Sequence, residues 1–165
     1  MITVVYFCIV GFLLCLEWTI GGRRSWGYLV GGLVFGLYNE ICFEFCWDYS
    51  PILKPMIWRD VPLLIILGWG LITSISLSVS DRMAGWLGLK NPWLRKLLDV
   101  LFFFSVGYPN ELLMARLGYW KYNFPLLAAA WAQVFGYLFV GIMVSFAGRG
   151  FQAIFDGHPK RTRSP

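Results

Sequence analysis

Three glutamates stand inside apolar stretches of the chain, where a charge is costly. Glu40 closes the run Gly36-Leu37-Tyr38-Asn39-Glu40, and Glu111 closes Gly107-Tyr108-Pro109-Asn110-Glu111. Both runs read G-x-x-N-E. An ionised carboxylate within a bilayer costs about 2.5–3.5 kcal/mol or more on insertion scales, so each such residue needs a partner or a task. Two carboxyls brought close in a low dielectric do not both ionise easily, and at least one keeps its proton near neutral pH. A protonated carboxyl in an apolar cavity is the reagent needed to protonate an alkene. Glu44 follows Glu40 at i+4, on the same helical face. Its counterpart beside Glu111 is Ala115, and Arg116, one residue on, is placed to pair with Glu44 or Glu111. Asn39 and Asn110 each precede a glutamate. Such a cluster serves either as a polar lock between helices or as a reacting or binding site.

Downstream of each glutamate stands a W-x-Y triplet, Trp47-Asp48-Tyr49 and Trp120-Lys121-Tyr122. Amphipathic rings gather at membrane interfaces, so these pairs read as an interfacial belt. Their other reading is a roof over an acidic cavity, where aromatic faces would stabilise a developing cation.

The elements that must position these residues follow from composition. The 165 residues are 58% hydrophobic, 19% aromatic and 14% charged, with a net charge of +5 and a mean hydropathy of +0.63. An ordinary soluble domain is about 45–50% apolar and about 25% charged. A soluble domain is therefore excluded. So is a disordered chain, because aromatics and branched aliphatics dominate. The basic residues are scattered rather than massed, so a nucleic-acid partner is not expected. What remains is a small integral membrane protein.

Five windows are long and apolar enough to span: about 2–20, 26–47, 61–80, 97–118 and 125–147. The expected fold is an all-α polytopic membrane protein of about five transmembrane helices, one transmembrane domain over 1–147 and a basic tail over 148–165. The first window lacks a basic n-region and a small-x-small cleavage site, so it reads as a retained helix. Counting Lys and Arg across the loops puts ten on one side and four on the other. The richer side is expected in the cytoplasm, with the N-terminus outside and the tail inside. Cys8, Cys15, Cys42 and Cys46 lie within spans and read as apolar fillers rather than a disulfide framework or metal site. Glu17 and Asp99 fall near span ends and are expected to reach water. Gly27, Gly31, Gly32 and Gly36 make small-xxx-small spacings that permit close helix packing and offer a route to a homo- or hetero-oligomer.

The chain also repeats itself. The G-x-x-N-E runs and the W-x-Y triplets recur in order. Trp58-Arg59-Asp60-Val61 answers Trp131-Ala132-Gln133-Val134, and Gly68 answers Gly141. The repeat copies run over about 36–68 and 107–141. Spans two–three and four–five thus read as a parallel duplicated helical hairpin. Repeats of this kind are related by an axis along the membrane normal, with sites at their interface. Pro62 and Pro109 are expected to start or kink their helices.

A single histidine, His158, lies in the tail. The sequence has no HExxH, no DxxxD pair, no phosphate-binding glycine loop and no lysine within a span. No metal and no cofactor is expected, and any chemistry would run on Glu, Asn, Tyr and Trp.

The intramembrane Glu, the aromatic-x-Tyr, the Pro and the Val-Pro helix start resemble small carotenoid-modifying membrane proteins. Gly107–Pro125 looks like the Pro-x-Glu region of the non-flavin lycopene cyclase domain. Glu40–Pro62 looks like the carotenoid hydratase group. The cyclase pattern carries two adjacent glutamates where this chain has Asn-Glu in both copies. The resemblance implies a membrane lipid or isoprenoid as partner and acid-initiated chemistry on its polyene end, giving a ring or a tertiary alcohol. Glu40 and Glu111 would then be acid and base in an unassigned order, assisted by Asn39, Asn110 and Glu44. Trp47, Tyr49, Trp120, Tyr122 and Arg116 would line the substrate. The alternatives are a non-catalytic subunit or assembly factor of a larger membrane complex, and a small lipid or solute transporter.

Overall fold

The computed structural model describes residues 25–157, together with Phe12 and Thr19. Among the described residues, four helices are long and apolar enough to cross a membrane: α1 (Trp26–Phe43), α2 (Leu63–Trp86), α3 (Pro92–Arg116) and, after the short α4 (Pro125–Ala128), α5 (Ala130–Asp156). The protein is an all-α, multi-pass membrane protein. The expected first span at 2–20 lies outside the described residues apart from Phe12 and Thr19, and so does the end of the tail at 158–165.

Local sequence sets the helix bounds. Pro62 caps α2 in an extended conformation, and Asn91 caps α3 by accepting from the Trp93 amide at 2.9 Å. Both features suit a helix start, where the first amides have no intrahelical partner. Gly88, at φ +62°, turns the chain between α2 and α3. α3 runs through Pro109 to Arg116. The expected tail begins differently from its sequence reading. Helix α5 continues through 148–156, because Gly148 is buried against Leu77 and Thr73 and Arg149 is bound inside the bundle.

Helix α1 packs on α2 and α5, and α3 packs on the same two helices from the opposite side. Helices α2 and α5 also touch across the middle. Equivalent helices of the two hairpins thus stand diagonally, as an axis running along the bundle would place them. The loops repeat the relation. Strand β1 (Trp47–Tyr49) pairs antiparallel with its own counterpart, called β4 (Trp120–Tyr122) because β2 (Met56–Trp58) and β3 (Val61–Pro62) intervene. Trp47 faces Tyr122, Tyr49 faces Trp120, and Asp48 faces Lys121 at the centre. The cap is fastened further by Asn123, whose side-chain amide donates to Phe45 O and to Asp48.

The copies diverge beyond the W-x-Y triplets. The first has the β2–β3 hairpin, and the second has α4 in its place. Trp58 and Val61 are strand residues, whereas Trp131 and Val134 lie in α5. The sequence match between those positions is not a structural one.

The glycines of α1 are used within the chain. A Cβ on Gly31 would meet Gly148 Cα at 2.7 Å, and one on Gly32 would meet Thr73 Cβ at 2.6 Å. Gly27 lies against Gln152, and Gly36 against Trp69. These glycines bring α1 onto α2 and α5, the close helix packing that their spacing permits.

The interior is unusually polar along α2, where Thr73, Ser74, Ser76, Ser78 and Ser80 are all buried. Large apolar side chains such as Phe135, Phe139 and Phe146 of α5 point outward, as they do toward lipid. At the end opposite the cap, a clasp around the buried Asp99 joins the four described spans. Arg149 donates to both oxygens of Asp99 at 2.6 Å, to Asp81 at 3.0 Å and to the Tyr28 hydroxyl at 3.2 Å. Ser80 and Ser145 donate to Asp99 at 2.5 and 2.7 Å. Asp99 is 0% exposed, so it does not reach water as its position near a span end suggested. Removing one member of a buried pair costs about 3–5 kcal/mol, because it leaves an uncompensated charge. Arg149→Met should therefore destabilise the protein by about that much in detergent unfolding. Arg95→Ala, which removes only an exposed partner of Asp81, should cost about 1 kcal/mol or less.

Candidate functional site

Glu40 and Glu111 face one cavity beneath the cap. Glu40 lies near the end of α1 and is 2% exposed; Glu111 lies near the end of α3. The cavity has about 70 Å³ of internal room, enough for a handful of waters at ~10–15 Å³ each. Trp47, Tyr49, Trp69, Phe103, Trp120 and Tyr137 give it aromatic walls.

Each carboxyl accepts three hydrogen bonds. Trp47 Nε1 and the Tyr49 hydroxyl donate to Glu40 Oε2 at 3.1 and 2.5 Å, and Trp69 Nε1 donates to Oε1 at 2.7 Å. Trp120 Nε1 donates to Glu111 Oε1 at 2.7 Å, together with the Tyr122 hydroxyl. The Tyr137 hydroxyl donates to Oε2 at 2.7 Å. In a strand, residues i and i+2 share a face. The W-x-Y triplet therefore turns both polar ring tips toward its own glutamate, while Asp48 and Lys121 are exposed. Burial, and then the negative charge of Glu40, hold the Tyr49 phenol far above its usual value. Burial and Glu111 do the same to Tyr122. Both phenols stay protonated, and so remain able to donate, throughout the ordinary pH range.

The third donors, Trp69 and Tyr137, come from α2 and α5 and are not evident from the repeat as matched by sequence. Each follows a glycine, in Gly68-Trp69 and Gly136-Tyr137. That dipeptide was the available signal. Matching Gly68 to Gly141 hid it, because the hairpins enter their second helices through different connections. Gly141 instead receives Phe103 and Val100 of α3. Phe103, 1% exposed, stacks on Trp69 at 6.0 Å and on Tyr137 at 6.3 Å, so one column of rings joins the two carboxyl cages.

The G-x-x-N-E motif now has a physical reason. Its glycine lies one turn before the glutamate, on the same face. A Cβ on Gly36 would meet Trp69 Cγ at 2.5 Å, and one on Gly107 would meet Tyr137 Cε1 at 3.0 Å. The missing side chain lets the third donor lie against the helix and reach the carboxyl.

Other expected site residues divide. Asn110 lines the cavity, while Asn39 is buried outside its lining. Glu44 is absent from the cavity lining; it stands where α1 gives way to a 3-10 turn and pairs with Arg59 at 3.4 Å. Arg116 is exposed and pairs with neither Glu44 nor Glu111. Neither lines the cavity. Comparison with protein-family models, with curated proteins and with solved structures gives no match.

Chemically, two neutral cages hold two carboxyls. Indole N–H can only donate, but a phenol hydroxyl can donate or accept. A proton arriving on either carboxyl therefore finds a phenol oxygen able to receive its hydrogen bond. Overfilling a packed site costs about 1–3 kcal/mol. Gly36→Ala should cost that much and push Trp69 off Glu40. Gly107→Ala, which meets only a ring edge, should cost less. Detergent unfolding and tryptophan emission would rank the two.

Proposed function

We propose that the protein is an intramembrane enzyme in which Glu40 and Glu111 act as a proton donor and a proton acceptor on the end of an isoprenoid- or carotenoid-like lipid. The observation that carries the reading is the pairing of two carboxyls from equivalent helices in one aromatic cavity whose lining contains no Lys or Arg. The likeness of the Glu, W-x-Y and Val-Pro pattern to lycopene cyclase domains and carotenoid hydratases supports it.

In this reading one glutamate, protonated, adds its proton to a terminal trisubstituted double bond. A tertiary carbocation forms, flanked by ring faces that attract it. For cyclisation, an internal double bond closes onto the cation, and the second carboxylate removes a proton from an adjacent carbon. For hydration, water adds to the cation and the carboxylate takes its proton. Either course returns one proton to the site, so no cofactor is consumed. Positioned acid–base groups of this kind contribute about 10²–10⁴-fold to rate. The small cavity suits a branched chain end, with the rest of the chain lying outside it.

The same reading sets the capped end outside and the clasped end in the cytoplasm, supported by the excess of Lys and Arg around the loops and tail of the clasped end.

Expression in a lycopene-accumulating bacterium tests the enzyme reading. The pigment profile should change, and Glu40→Gln or Glu111→Gln should each lower product formation by about 10²–10⁴-fold while the protein still accumulates. Glu44→Gln should leave product unchanged. An unaltered profile with co-purifying membrane subunits would replace the enzyme with an assembly role. Glutamate-dependent uptake or efflux would replace it with transport.

A further inference from the structure

A second hollow lies outside the acidic cavity, in the seam between α3 and α5. It has about 390 Å³ of room, several times that of the cavity under the cap, and an almost wholly apolar lining. Trp93, Leu97 and Val100 form one wall, and Leu138, Ile142 and Phe146 form the other. Ser145 lies on its floor but turns its hydroxyl to Asp99. Nothing in the lining therefore calls for a polar chain. The groove is separate from the acidic cavity, because Phe103 and Val100 close on Gly141 between them.

One end of the groove is not apolar. Lys96 stands there with its ammonium 4.1 Å from the centre of the Phe146 ring and 5.2 Å from that of Trp93. Among the described residues it has no carboxylate partner, whereas its neighbour Arg95 is paired with Asp81. Lys96 also lies near the start of α3, where the first-turn amides and the helix dipole favour an anion. A long apolar trough ending in an unpaired cation, at the level where a span meets the interface, has the charge pattern of a lipid with a negative head. A lysine at such a site attracts anionic headgroups.

We propose that this groove is a binding site for one phospholipid of the surrounding bilayer, an anionic one, with an acyl chain between α3 and α5 and its phosphate on Lys96. The site is independent of the acid–base chemistry proposed above. Its occupant would cover the outer face of the helix pair that carries Asp99 and Arg149.

The full chain in mild detergent, titrated with phosphatidylglycerol or phosphatidylcholine and followed by native mass spectrometry, tests the proposal. The unaltered protein should retain one phosphatidylglycerol at roughly a tenfold lower lipid concentration than phosphatidylcholine. Lys96→Gln should remove that preference, and Lys90→Gln, on the exposed turn before α3, should keep it. Ile142→Trp, which fills the trough from its partly exposed position, should weaken retention of both lipids by about tenfold. Equal retention of the two lipids by the unaltered protein, or a preference that survives Lys96→Gln, would overturn the site. Retention unaffected by Ile142→Trp would overturn the placement of the chain. The glutamates take no part in this measurement, so its failure is distinct from a failure of the enzyme reading.

Discussion

A buried carboxyl in an apolar interior must be given donors, and most of this structure follows from giving three to each of two glutamates. The donors cannot come from one helix. Two arrive from the W-x-Y strand that folds back over the helix end, and the third comes from the next span. Satisfying one glutamate therefore fixes a helix, its returning loop and its partner helix relative to one another. Doing so twice, with the two W-x-Y strands paired to each other, fixes the whole cap. The glycine of each G-x-x-N-E run belongs to the same requirement, since it clears the space that the third donor occupies.

What could be read from the sequence follows from where each requirement leaves a local trace. Glu40, Glu111 and the W-x-Y triplets were legible because the duplication preserved them at nearly constant separation. The third donors were not, since a β-hairpin in one copy and α4 in the other shift α2 and α5 by different amounts relative to the glutamates. Glu44 follows Glu40 by one helical turn, but its partner Arg59 lies 15 residues on, beyond the helix, where no helical spacing announces it. Asp99 was misjudged because its partner, Arg149, lies 50 residues away in a stretch that reads as tail. Orientation on a helix can be inferred from nearby residues, but a bond between distant helices cannot.

The glycines of α1 teach a related lesson. Their spacing announces a close helix contact without naming the helix. In this bundle Gly27 and Gly31 meet α5 while Gly32 and Gly36 meet α2, so two adjacent small-xxx-small pairs serve two neighbours. The order of helices around the bundle, rather than the motif, decides that the seam is internal.

The two ends of the bundle bury acids by opposite means. At the clasped end Asp99 is held by a guanidinium and two hydroxyls, and a proton placed on it would displace one of the charged bonds that join the spans. At the capped end Glu40 and Glu111 are held by neutral indoles and phenols. There a proton adds no break, because a phenol oxygen can turn from donor to acceptor while the indoles keep donating. A fold that only needed two locks could have used arginine at both ends. Reserving it for one end keeps that end fixed and leaves the other with acids whose protonation can change without dismantling their surroundings, which is the property that proton transfer to a bound lipid requires.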